Sequence, residues 1–155
     1  MAALVFSAAA CGSDSQDTSS PAYLPEAVRE AQERQAIQLE RLERSLPGVD
    51  WDIVSVGGTP VIDLGTAVIR LDPDGSVSGS TGCNQFNASW SIEGNQIDIG
   101  PAVTTRMACS PPVTLQEQTI LAILDAAVLI GVGDEGALFI STLEGDFLTG
   151  VPSGD

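Results

Sequence analysis

The chain has 155 residues, of which 43% are hydrophobic, and a formal net charge of −15 at pH 7. Its 21 acidic residues face only six basic ones, all arginine, so it lacks the clustered cations that nucleic-acid binding and electrostatic docking on anionic lipid require. The absence of histidine excludes Ser-His-Asp and Cys-His catalytic sites and His-containing zinc sites. The three cysteines show no Cys-x-x-Cys spacing, so no metal or cofactor is expected.

The first residues of the chain predict an export signal. Residues 1–10 are apolar and small, they end at Cys11, and a polar stretch follows. This order is typical of a bacterial lipoprotein signal peptide, with residues 8–11 as the lipobox and Cys11 as the lipid attachment site. Ala8 stands where leucine is usual, and no positive charge precedes the apolar run, so an apolar tail with an incidental cysteine is the alternative. We expect a lipid-anchored protein on the extracytoplasmic face of a cell-envelope membrane.

A tether and a helix are expected next. Residues 11–24 are rich in serine, aspartate and threonine, a composition typical of a flexible tether. Residues 25–46 show helical spacing, with Glu-to-Arg pairs four residues apart, and a Pro-Gly pair stops the pattern. The apolar stripe of this helix is thin and consists of Leu24, Val28, Ala31, Leu39, Leu42 and Leu46. The helix is expected to pack on its own domain or to act as a stalk, and a partner-binding helix is the alternative.

Short β-type segments dominate the chain from Trp51 onward. Each alternates or clusters β-forming residues between turn residues, and each therefore predicts a strand. In chain order the segments are WDIVSV, AVIRL, SVSGS, SWSIE, QIDI, ALFIST and DFLTGV. The stretch Asp72-Pro73-Asp74-Gly75 favours a turn over an EF-hand calcium loop, because its glycine comes two positions too early and Cys83 stands where the bidentate glutamate belongs.

One helix is expected among these strands. Residues 114–128 carry an apolar stripe, and Thr114 with Glu117 predicts a capping box at the start of the helix. Several antiparallel strands with one late helix indicate an α+β domain over residues 50–151.

The residues around Cys83 carry a family resemblance. The stretch GSTGCNQFNASWSIEGNQIDIG, followed by TTRMACSP, a glutamate-bearing helix and a closing hairpin, resembles the META domain family, also called the HslJ-like heat-shock protein family. Order and spacing agree across roughly residues 50–150, beginning at Trp51, and Ala88 departs from the glycine that the family often has. The positions that match the family motif are Gly79, Gly82, Cys83, Asn84, Thr105, Arg106 and Cys109.

The resemblance implies a fold and a setting. The implied fold is a compact antiparallel sheet curled into a half-open barrel around the inserted helix, here preceded by the N-terminal helix. The implied setting is a bacterial cell envelope, frequently with a lipid anchor. Members of the family have been linked to the heat-shock response, antibiotic tolerance and secretion, without an established enzymatic activity.

Cys83 has two candidate roles, nucleophile and disulfide partner. A catalytic thiolate needs a neighbouring base or cation, yet residues 51–150 hold twelve acidic residues, no histidine and only Arg70 and Arg106 as cations. We therefore expect no catalytic residue. If Cys11 carries lipid, Cys83 and Cys109 form the only possible intramolecular disulfide, which an oxidising compartment favours over the alternative of two buried free thiols.

The other motif residues are expected to have structural roles. Gly79 and Gly82 suit a strand bend that needs positive φ or a close backbone approach, and Asn84 can brace the turn through its amide. Arg106 is expected to pair with a carboxylate of the domain, although a lone cation inside a half-open barrel would also suit an anionic headgroup.

Two functions are consistent with this interpretation. The first is a non-enzymatic, stress-related structural or protein-interaction module, with the 25–46 helix as its contact to an envelope protein. The second is a carrier that holds an apolar or lipid-like ligand in the half-open barrel. A carrier requires a continuous apolar cavity, whereas an interaction module has a filled core.

Overall fold

The computed structural model describes residues 25–63, 66–133 and 135–154. Contacts divide the chain into one unit that ends at Gln35 and a second that begins at Ala36. The predicted signal peptide over residues 1–10, the lipid attachment at Cys11 and the tether over 11–24 lie outside the described residues. Within the described residues, no helix combines the length and the apolar character that a bilayer crossing requires.

Helix α1 spans Glu26–Ser45. Two exposed pairs support it on its surface, Arg34 with Glu30 at 3.2 Å and Arg44 with Glu40 at 2.6 Å. Its residues up to Gln38 are exposed, whereas Leu42 and the following Leu46 are buried in the core of the second unit. The C-terminal end of α1 therefore packs on the domain that follows it.

The remainder of the chain is built from ten short strands and a second helix. The strands are β1 (Asp50–Val56), β2 (Thr59–Pro60), β3 (Ala67–Leu71), β4 (Ser76–Thr81), β5 (Gln85–Glu93), β6 (Gln96–Ile99), β7 (Val103–Thr104), β8 (Ala127–Val132), β9 (Leu138–Thr142) and β10 (Phe147–Pro152). Helix α2 (Pro111–Asp125) lies between β7 and β8. All seven strands that the sequence predicts are present, and β2, β7 and β8 are additional.

Eight of the strands form a closed antiparallel ring. Its order is β1, β3, β4, β5, β6, β8, β9, β10, and β10 pairs back onto β1. The prediction of an α+β barrel with an inserted helix and a preceding helix is confirmed, but the barrel is closed and not half-open, because β10 pairs with β1. The ring has its fewest paired residues between β6 and β8, where a single residue pair, Gln96 with Leu129, joins the two strands.

The interior of the ring is filled by side chains. Buried strand residues alternate with more accessible ones, as in Ala67–Leu71, where every second residue is buried and the others are half-buried, so each strand turns one apolar face inward. Helix α2 contacts β4 and also β9 and β10, which lie on opposite sides of the ring. It therefore crosses the barrel, and its Ile120, Ile123 and Leu124 complete the core.

The turn at Asp72–Gly75 is confirmed. The Gly75 N–H donates to the Asp72 carbonyl at 3.1 Å, and the Asp74 carboxylate accepts from the Ser76 hydroxyl at 2.6 Å and the Ser76 N–H at 2.9 Å. These two hydrogen bonds to the ionised carboxylate lower the pKa of Asp74. The Asp74 side chain thus supports the backbone geometry of the turn.

The predicted bounds and cap of the second helix are wrong. Helix α2 begins at Pro111 after Ser110, three residues before the expected start, and the Thr114 N–H donates to the Ser110 carbonyl at 3.0 Å. The Glu117 carboxylate does not return to the helix start, because it is bound to Thr81 on β4 and to the Asn84 N–H in the β4–β5 turn. Residues 127 and 128 belong to β8, since pairing with β9 competes successfully with helix continuation.

Candidate functional site

The motif glycines shape the end of β4. A Cβ at Gly79 would overlap the Val68 carbonyl oxygen on β3 and would lie 2.9 Å from the Phe86 ring, so the site excludes any side chain. Gly82 has φ of +89°, a conformation that L side chains rarely adopt, and a Cβ there would lie 2.9 Å from the Gln116 amide nitrogen. Together they let the chain turn from β4 into β5 close against α2.

The disulfide between Cys83 and Cys109 is present, which confirms the expected pairing. Its Cα atoms lie 6.1 Å apart, and the bond ties the β4–β5 turn to the end of the irregular segment that precedes α2. Cys83 is buried and Cys109 half-buried. In this oxidised form neither sulfur is a free thiol.

The Asn84 side chain joins three segments of the domain. Its Oδ1 accepts from the Thr105 hydroxyl at 2.9 Å and the Met107 N–H at 2.7 Å, and its Nδ2 donates to Glu117 Oε1 at 3.1 Å. Asn84 is 3% exposed, so these bonds replace water almost completely. The predicted role of Asn84 as a turn brace is thus extended to the segment after β7 and to helix α2.

Glu117 is the acidic member of this network. Its Oε2 accepts from the Thr81 hydroxyl at 2.7 Å and from the Asn84 N–H at 3.2 Å, and Thr81 is fully buried. The adjacent Gln116 donates to the Thr81 carbonyl at 3.0 Å and accepts from the Ile62 N–H at 2.8 Å. The partly buried Glu117 carboxylate thus accepts three hydrogen bonds, and these satisfy its oxygens without a cation.

The site also contains three residues that are not predicted from the sequence, Thr81, Gln116 and Glu117. One signal for Glu117 exists in the spacing of α2. Glu117 precedes Ile120 by three residues and Leu124 by seven, so it shares the inward face of the helix with both. A carboxylate on that face predicts buried hydrogen-bond donors, a better explanation of Glu117 than a capping box.

Arg106 lies exposed in the segment after β7, outside the barrel interior. Among the described residues no carboxylate lies within 4.0 Å of it, so the expected ion pair is not formed. The other arginine of the domain, Arg70, binds Asp72 at 2.8 Å and Asp50 at 3.2 Å, and these carboxylates raise its pKa. In the part of the chain that the structure describes, no three cysteine or acidic side chains gather as a metal site would require.

Two clefts border the barrel near the end of β6. One has a volume of 330 Å³ and lies between α2 and the inward-facing side chains of Phe86, Ala88 and Ile99. The other has a volume of 590 Å³ and lies at the junction of β6 and β8, beside the β9–β10 turn. Neither cleft is lined by Cys83, Asn84 or Glu117.

Comparisons with known proteins agree with this fold. The sequence profile of the META domain family matches residues 44–154. A protein from Burkholderia xenovorans, solved by NMR, is similar in structure with a TM-score of 0.56 at 24% identity, over 72% of this chain and 86% of that one.

A crystal structure of a DUF4847 family protein from Bacteroides vulgatus has a TM-score of 0.56 at 15% identity, over 73% of this chain and 98% of that one. No curated protein matches the chain. The likeness to the two solved structures, both under 25% identical, concerns the fold alone. The family profile covers more than half of the sequence, and the chain belongs to the META domain family.

Proposed function

We propose that this protein is a non-enzymatic module of a bacterial cell envelope, anchored by lipid at Cys11, that acts by binding another envelope protein under stress. The observation that carries the proposal is that the polar side chains and cysteines around Asn84 are already bonded to partners within the domain. The Cys83 sulfur is bonded to Cys109, and both polar ends of Asn84 and both carboxylate oxygens of Glu117 have partners inside the domain. Side chains engaged in this way brace a fold and are not free to bind or transform a substrate.

The exposed apolar side chains support a role in binding. On the outer face of β8–β10, Leu129, Phe139, Phe147 and Val151 are each between 37% and 45% exposed. Phe139 lies opposite Gly131 on β8 and Thr149 on β10, so no charged side chain interrupts the face at these positions. Exposed contiguous apolar surface is typical of protein interaction sites.

Photo-crosslinking in the native bacterium tests the binding role. A photoreactive amino acid at Phe139, and a second at Ile37 on α1, should each capture a discrete protein partner when the full chain is expressed. The same amino acid at exposed Asp63, in the loop that follows β2, is the matched control and should capture none. Equal, diffuse capture at all three positions would contradict an interaction module.

The anchor is tested separately. Metabolic labelling with an alkyne fatty acid should mark the full chain, and Cys11→Ser should abolish the label and release the protein from the membrane fraction. A membrane-bound, unlabelled wild-type protein would overturn the lipid anchor while leaving the binding role intact.

A carrier is the second candidate, and the 330 Å³ cleft beside α2 favours it. This volume lies at the lower end of the range for small-molecule sites, and its lining includes the inward-facing Phe86 and Ile99. The filled barrel interior argues against a larger ligand, because Ile53, Ile69 and Leu71 are fully buried in the core. Native mass spectrometry of envelope-purified protein distinguishes the two functions, since a carrier would retain a bound lipid-like molecule of defined mass.

A further inference from the structure

The junction of β6 and β8 is the weakest pairing in the ring. Gln96 with Leu129 is the single residue pair there, and the Ile130 N–H donates to the Asn95 carbonyl at 2.9 Å. By comparison, β5 and β6 share four residue pairs, and β8 and β9 share five. Strand edges that lack partners expose backbone N–H and C=O groups on which another strand can pair.

A cleft of 590 Å³ occupies this junction. Ile97 of β6 and Val128 of β8 line it, and they belong to the two strands beyond their last shared pair. Leu129 and Leu143 flank the cleft and are 42% and 88% exposed, respectively. The cleft therefore combines unpaired strand edges with apolar side chains, the two features that strand addition uses for affinity and for selection of side chains.

The charge at the cleft is entirely acidic. Glu93 and Asp98 line it and are exposed, and its lining contains no arginine. Both arginines of the domain are elsewhere, Arg70 on β3 and Arg106 after β7. A basic segment complements this rim, whereas a second copy of a chain with a net charge of −15 is repelled by it.

We propose that the β6–β8 junction is a docking site for an extended peptide segment of a partner protein, in which apolar residues alternate with Lys or Arg. The segment adds as a strand along the open edge of β6, places its apolar side chains on the inward side of the cleft beside Ile97, and turns its basic side chains to the outer face, toward Glu93 and Asp98. This inference rests on the proposed binding function, and it names the surface and the chemistry of the partner.

The probe for this site is a fluorescent hexapeptide, Arg-Val-Arg-Val-Arg-Val, titrated into the full ¹⁵N-labelled chain. Amide shifts should concentrate at residues 96–99 and 126–130 and saturate. A peptide of the same sequence with alternate backbone nitrogens methylated cannot donate a ladder of hydrogen bonds, and its affinity should be at least about tenfold lower. A Glu-Val-Glu-Val-Glu-Val peptide should not bind.

Protein variants test the two acidic residues that line the cleft, Glu93 and Asp98. E93Q together with D98N removes two exposed partners of the basic side chains and should weaken binding about fivefold. D63N together with E135Q changes the net charge equally at exposed positions outside the cleft and should leave binding unchanged.

Three outcomes overturn the inference: shifts mapped elsewhere, equal affinity of the N-methylated peptide, or the absence of saturable binding. If one of them occurs while photo-crosslinking at Phe139 or Ile37 still captures a partner, the docking site is wrong and the binding function stands. If the hexapeptide binds as described and crosslinking captures nothing, the proposed envelope role fails instead.

Discussion

Asn84 shows how one buried amide can organise the motif of this domain. A primary amide offers two N–H donors and, on a separate atom, a carbonyl oxygen with two lone pairs, so it can bind donors and acceptors on different segments at the same time. In this structure Oδ1 binds the Thr105–Met107 segment while Nδ2 binds Glu117 on α2. Asn84 therefore contacts the turn, the irregular segment and the helix at once, beside the disulfide and the hydrogen bonds of Thr81.

Asn84→Ala should reduce the free energy of unfolding by about 1–3 kcal/mol, because it removes the hydrogen-bond partners that the buried Asn84 side chain supplies to Glu117 Oε1 and to the Met107 N–H. Urea denaturation of the purified chain measures the change. Asn87→Ala is the matched control, since Asn87 is exposed on β5, and it should change stability by less than about 0.5 kcal/mol. Equal losses in the two variants would contradict the bracing role.

Gly79→Ala tests the close approach of β3 and β4. The added methyl group would overlap the Val68 carbonyl and press on Phe86, so a loss of about 1–3 kcal/mol or more is expected in denaturation experiments. Gly131→Ala on β8 is the control, because no atom lies within 4 Å of the added Cβ there. It should be neutral or stabilising by up to about 1 kcal/mol, and a destabilising Gly131→Ala would contradict the steric explanation.

At the scale of elements, α1 has two distinct parts. Its exposed portion is supported by Glu–Arg pairs at the surface, whereas Leu42 and Leu46 at and just beyond its end are buried in the barrel domain. Surface pairs of this kind contribute little to stability, so the position of the helix end depends on the two leucines.

Leu46→Ala should therefore cost about 2–5 kcal/mol of unfolding free energy, since Leu46 is fully buried and its removal leaves a cavity. Ile37→Ala, at a position that is 57% exposed, is the control and should lie within about 0.5 kcal/mol of the wild type. The measurement is thermal or urea unfolding followed by circular dichroism. A small effect of Leu46→Ala would mean that the end of α1 is dispensable for the domain.

Helix α2 and strand β8 show why local patterns misjudge some boundaries. Thr114 and Glu117 have the spacing of a capping box. The Glu117 carboxylate instead accepts hydrogen bonds from Thr81 and Asn84, which are distant in sequence. Residues 127 and 128 continue an apolar pattern that fits a helix, yet both belong to β8, where Ala127 pairs with Thr142 on β9. In both places a long-range contact prevails over a weak local preference.

For the whole molecule, the disulfide constrains the unfolded chain as well as the native turn. It links residues 26 positions apart, and in the chain-entropy description a loop of this size contributes about 3–4 kcal/mol. Cys83→Ala with Cys109→Ala should lower the unfolding free energy by about that amount. Dithiothreitol should lower the thermal midpoint of the wild type and leave the double variant unchanged, and equal responses would contradict a structural disulfide.

The sequence by itself determined the fold class, the seven predicted strands and the family. These features depend on alternation of apolar residues, on turn residues and on the short spacing of the motif, all of which are local. Only the tertiary structure determined that the ring of strands closes, that a single residue pair joins β6 to β8, and which groups bind Glu117. Each of these joins residues far apart in the chain, and the free energy of such contacts depends on which surfaces meet, a property that no single segment carries.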